Sequence, residues 1–125
     1  TAGPFADSPP SVNGKALADP IELRTGTTYR LRFVSIAPND GKLVRLVAGG
    51  VPVRWRPIAK DGADLPAHQA IARPAVVAMG TGETADFEIS VAEPGELSLE
   101  IVSFGRVGLP AVRSVVPVHV RAPNE

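Results

Sequence analysis

Apolar and polar residues alternate one by one through most of this chain, and each alternating run stops at a turn rich in glycine, proline or asparagine. In Thr28–Ile36, Tyr29, Leu31 and Phe33 share one face while Arg30 and Arg32 share the other. The same period of two recurs in Leu43–Ala48, in Pro52–Ile58, in Ala85–Val91, in Leu97–Ile101 and in Val116–Val120. A strand turns successive side chains to opposite faces, so this pattern predicts half-buried strands rather than helices. The runs are bounded by Thr25-Gly26, Pro38-Asn39-Asp40-Gly41, Gly49-Gly50, Asp61-Gly62, Gly80-Thr81-Gly82 and Pro94-Gly95, which are turn chemistry. Thirteen prolines and twelve glycines in 125 residues fit short strands and many turns. About seven or eight strands at this spacing predict an all-β sandwich or Greek-key barrel.

The length suits one domain. Residues 1–11 hold three prolines and few apolar anchors and read as a linker or extended lead-in. The domain itself is expected over 12–121, with a polar tail at 122–125. The chain opens at Thr1 with neither a charged nor an apolar leader segment, so any signal peptide is expected upstream or already removed. Thirteen basic and thirteen acidic side chains cancel, and no basic run marks a nucleic-acid face. No apolar run approaches the roughly 18 residues a membrane helix needs. No nucleic-acid partner and no membrane insertion are therefore expected. Ala67–Ala72 suits a short helical turn, ended by Pro74.

Few residues point to chemistry. His68 and His119 are the two imidazoles, and they are metal candidates only if the fold brings them together with a carboxylate. Met79 suits a core filler. Asp61 and Asp64 read as turn residues, and Glu83 and Asp86 fall on opposite strand faces, so neither pair suits acid–base work. No serine or threonine sits in a recognisable triad spacing. The two glycine-rich turns open no helix and make no phosphate loop. In Arg54-Trp55-Arg56 the alternation turns Trp55 inward with Val51 and Val53 and the arginines outward. Arg30, Arg32, Arg45, Arg54 and Arg56 are expected to form one stripe, neutralised by Asp86 and Glu88 or docked onto an acidic partner.

Four segments, in order, resemble a cupredoxin-like domain of a bacterial multicopper oxidase. They are SVNGKALADPIELRTGTTYRLRFVSIAPNDGKLVRL (11–46), VPVRWRPIAKDGADLP (51–66), MGTGETADFEI (79–89) and PGELSLEIVSFGRVGL (94–109). A blue-copper site uses a Cys thiolate and two imidazoles, often with a weak axial thioether. The resemblance places a His-X-His at Leu43-Val44-Arg45-Leu46, a His-Cys-His near Glu100, Ile101 and Val102, a later His near Arg106 and the thioether near Leu109. None of these positions carries a ligand, and the chain has no cysteine.

The resemblance thus implies a copper-free, non-catalytic module with no cofactor of its own. Copper is expected in other domains of a parent enzyme that oxidises phenols, other organic reductants or metal ions and reduces dioxygen. Its partners would be those cupredoxin domains, and its location periplasmic or secreted. The module would serve packing and the shaping of a substrate cleft, with Val34, Ile36, Val102, Phe104 and Val107 as the candidate interface. Two other assignments stand beside it. An independent extracytoplasmic β-sandwich binding a carbohydrate or protein requires an exposed Trp55 beside a flat polar face. A small metal-dependent oxidase requires His68 and His119 in one site.

Overall fold

The computed structural model describes residues 20–35, 41–103 and 112–124. The predicted lead-in at 1–11 lies outside them. Two sheets face each other. The first runs in the order β1 (Ile21–Arg24), β11 (Val112–Arg121), β10 (Gly95–Ser103), β3 (Lys42–Ala48) and β4 (Val51–Pro52), and β8 (Val76–Met79) pairs the same edge of β3 as β4 does. The second runs β2 (Thr28–Val34), β9 (Thr84–Ser90), β5 (Arg54–Lys60) and β6 (Ala63–Asp64), with β7 (Arg73–Pro74) also on β5. Every described ladder is antiparallel except that of β1 with β11. The all-β class expected from the alternation is the one observed, and no helix occurs among the described residues.

The apolar faces meet in one core. Leu23, Leu46, Leu99 and Val116 come from the first sheet, and Leu31, Phe33, Trp55 and Phe87 from the second, all nearly inaccessible to solvent. Each such large side chain contributes about 1.5–3 kcal/mol on burial. Met79 fills the same core, as expected. The aromatic part is tight: Trp55 stacks on Phe87 with ring centroids 4.0 Å apart, and Phe33 tilts against both.

One predicted strand divides. Pro52–Ile58 was expected to be continuous, with Val51, Val53 and Trp55 on one face. Val51 belongs instead to β4 in the first sheet and is 67% exposed, while Trp55 belongs to β5 in the second. The chain crosses between the sheets at Val53. There its N–H donates to the Leu46 carbonyl (2.9 Å) and its carbonyl accepts from the Ala75 N–H (2.7 Å). These bonds satisfy the backbone where it leaves both ladders.

Prolines sit where a missing N–H does least harm. Pro57 lies at a bulge: it pairs Phe87, and the ladder then skips Ile58 before Ala59 pairs Asp86. Pro117 pairs Ser98 of β10, but the described ladder with β1 begins only at Val118. The Ala67–Ala72 segment makes a single turn, in which the Gln69 and Ala70 N–H groups donate to the Pro66 carbonyl.

Candidate functional site

Three places bear on function: the ladder where the resemblance puts copper ligands, the two histidines, and the outer face of the second sheet.

The first is the β3–β10 ladder. Leu43 pairs Val102, Val44 pairs Ile101 and Arg45 pairs Glu100. The fold therefore brings together the two segments to which the resemblance assigns ligands. Val44 and Ile101 turn into the core, at 3% and 4% exposure. Arg45 and Glu100 turn outward, and the Glu100 carboxylate accepts from Arg45 (Nε, 3.0 Å, and Nη2) and from Arg113 of β11. The hydrogen bond from Arg45, aided by Arg113 and opposed by burial, holds the Glu100 carboxyl below its ordinary range. As a donor set, aliphatic chains and one carboxylate engaged by two guanidiniums do not fit a blue-copper ion, which requires a soft thiolate and imidazoles. The remaining implied positions, Arg106 and Leu109, lie outside the described residues.

The histidines are held apart by the topology. His119 is on β11 of the first sheet, where its Nδ1 meets the Glu96 carboxylate across the β10 ladder. His68 is exposed in the connection from β6 to β7, which both flank β5 of the second sheet, with Gln69 beside it at 3.5 Å. Among the described residues no three His, Cys, Asp or Glu side chains are grouped to hold a metal ion.

The arginine stripe divides between the two sheets. Arg45 stands on the first, while Arg30, Arg32, Arg54 and Arg56 stand on the second, because β3 and β5 enter different sheets. On β9, Asp86 is buried beneath Arg30 (2.5 and 2.8 Å) and Arg32 (3.0 to 3.2 Å). Burial pushes its carboxyl up, but the hydrogen bonds from Arg32 and Arg30 outweigh it and hold the group low. Glu88 pairs with Arg56. Both predicted acidic partners are thus in place. Arg113, which completes the Glu100 cluster, was not anticipated, since its position follows only from the β10–β11 register.

Trp55 is 2% exposed. That removes the exposed ring on which a carbohydrate would stack, because Trp55 lies face to face with Phe87 inside the sandwich. Its indole N–H is buried and meets no acceptor among the described residues. Of the candidate interface residues, Val34 and Val102 are half-buried near strand ends, and Ile36, Phe104 and Val107 lie outside the described residues.

No protein-family model matches the chain, and no curated protein does. Solved structures do. A multi-copper oxidase from Pediococcus acidilactici superposes with a TM-score of 0.61 at 8% identity, covering 83% of this chain and 21% of its own. The blue copper oxidase of Nitrosomonas europaea superposes at 0.56 with 18% identity, covering 81% and 30%. The copper nitrite reductase of the same organism gives 0.54 and 16%, covering 92% and 36%. The fold is cupredoxin-like. At these identities the likeness concerns the fold alone, and the chain spans only 21% to 36% of the length of those three structures.

Proposed function

We propose that this chain is a copper-free, non-catalytic cupredoxin-like module of a multicopper oxidase, serving domain packing and the shaping of a substrate cleft. The parent would oxidise phenols, other organic reductants or metal ions and reduce dioxygen outside the cytoplasm, with copper in its other cupredoxin domains. One observation carries the reading. At the β3–β10 ladder, where the resemblance puts copper ligands, the register opposes Arg45 to Glu100 and Val44 to Ile101. An ion pair and aliphatic chains support the sheet there and offer no soft ligand. The small fraction of each similar oxidase that the chain spans supports a modular role. Val34 and Val102 remain the described part of the proposed interface.

Copper titration of the purified chain, followed by dialysis and metal analysis, tests the copper-free part. The expected result is no retained copper and no visible copper–thiolate absorption. Stoichiometric copper that is lost in His68→Ala or His119→Ala would overturn it. Sequencing the reading frame around residues 1–125 tests the module. Segments carrying His-X-His and His-Cys-His are expected in the same frame, and a frame without them sinks the assignment.

A further inference from the structure

We propose that a groove on the outer face of the second sheet binds a single oxyanion group, a carboxylate, sulfate or phosphate, through the Arg54 guanidinium and the hydroxyls of Thr28 and Ser90. The groove is open to water, has a volume of about 260 Å³, and its lining includes these three residues with Arg56, Ala72 and Glu88.

The register builds it. Thr28 of β2 pairs Ser90 of β9, and Arg56 of β5 pairs Glu88 two residues before Ser90. Arg54, two residues before Arg56, therefore faces the same side, level with Ser90. Three adjacent strands thus present two hydroxyls and a guanidinium in one row.

Charge supplies the second reason. That face carries Arg30, Arg32, Arg54 and Arg56 against the carboxylates of Asp86 and Glu88. Asp86 is taken by Arg30 and Arg32, and Glu88 by Arg56. Arg54 donates only to the neutral Ala72 carbonyl, at 2.9 Å, and among the described residues no carboxylate pairs with it. Arg73, next along the chain from Ala72, likewise meets a carbonyl, that of Gln69. A planar guanidinium has five N–H donors, so Arg54 keeps most of its fork for an oxyanion. Glu88 is the one carboxylate in the groove, and it both repels an incoming anion and competes for Arg56. The site is open to water, so affinity for a free anion is expected near the millimolar range and weakens with salt.

The test is titration at low ionic strength, followed by the backbone and Arg Nε NMR signals of Thr28, Arg54 and Ser90. Inorganic phosphate is one probe, a short glutamate-containing peptide the other, and chloride at matched ionic strength the control. Saturable shifts are expected that weaken about tenfold in Arg54→Gln and tighten in Glu88→Gln, where repulsion is removed. Arg32→Gln, which removes a guanidinium tied to Asp86 outside the groove, should change affinity by less than about twofold. Saturation by phosphate identifies a free anion as sufficient, and saturation by the peptide alone identifies a partner's carboxylate. Either supports the site if Arg54→Gln weakens it about tenfold. The proposal fails if neither probe saturates, if Arg54→Gln binds like the parent chain, or if Arg32→Gln and Arg54→Gln weaken binding equally. Arg32 and Arg54 are exposed and Glu88 is half-buried, with 35% of its side-chain surface accessible, so the variants should fold, which circular dichroism checks.

Discussion

Arg45 stands directly opposite Glu100 across the β3–β10 ladder, and the second oxygen of the Glu100 carboxylate is taken by Arg113 from the neighbouring strand. Arg113 reaches it diagonally, since Glu100 itself stands opposite Val115 on that strand. Glu100 is nearly buried, whereas Arg45 and Arg113 keep 34% and 61% of their side-chain surface exposed.

That asymmetry sets the cost of removing each member. Glu100→Ala takes away charge-assisted bonds to two cations and is expected to cost about 1.5–3 kcal/mol. Arg113→Ala removes one exposed arm of the cluster and should cost under about 1 kcal/mol. Urea unfolding of the two variants measures both. A larger loss in Arg113→Ala than in Glu100→Ala would show that the carboxylate is not the centre of the cluster.

Acid should weaken the fold through the same kind of contact on both sheets. Asp86 and Glu100 ionise in the folded chain below their ordinary 3.8 and 4.5. For a carboxyl whose folded value is depressed, the stabilisation is complete above the unfolded value and is lost as pH falls through the folded one. The urea midpoint is therefore expected to be flat near neutrality and to drop between about pH 5 and pH 2. Asp86→Asn should start from a lower midpoint at neutral pH and lose less on acidification. An unchanged acid slope in Asp86→Asn would mean that Asp86 contributes nothing to it.

Two glycines separate backbone conformation from space. Gly82 has φ of +82° in the turn before β9, where its N–H donates to the Ser35 carbonyl at 2.7 Å, and no described residue would touch an added Cβ. Gly82→Ala should therefore cost about 1 kcal/mol through φ alone. Gly95, equally open but without positive φ, should accept alanine with little change or a small gain. Equal thermal midpoints for the two variants would rule out this explanation.

The sequence made the strands legible because a period of two needs only local reading. Alternation alone turns Trp55 inward and matches Asp86 to Arg30 and Arg32, since all lie on long alternating runs. What local reading could not supply is which sheet a strand enters. Alternation groups Arg45 with Arg54 and Arg56 because the pattern is the same on both sides of the crossing at Val53. The bonds that fix that crossing come from Leu46, across the β3–β4 turn, and from Ala75, remote in sequence. For the same reason alternation places Val51 with the core, where the structure leaves it exposed. The groove beside Arg54 is invisible to pattern reading, because Thr28, Ser90 and Arg54 become neighbours only through the order β2-β9-β5.

Trp55 offers the sharpest check on the core. Its ring stacks on Phe87 and is tilted against Phe33, with centroids at 4.0 and 5.7 Å, so truncation would leave a large cavity between the sheets. Trp55→Ala is expected to cost about 3–5 kcal/mol, a large share of the stability of a domain this size. Trp55→Phe keeps the aromatic contact and also removes a buried indole N–H that has no acceptor among the described residues. An unpaired buried donor is itself unfavourable, so this change should cost far less than its loss of volume suggests, under about 1.5 kcal/mol. As the chain's single tryptophan, Trp55 also reports its surroundings, and its emission should be blue-shifted and resist acrylamide quenching in the folded state. A red-shifted, readily quenched signal would place the ring in water and reopen the stacking surface that burial excludes.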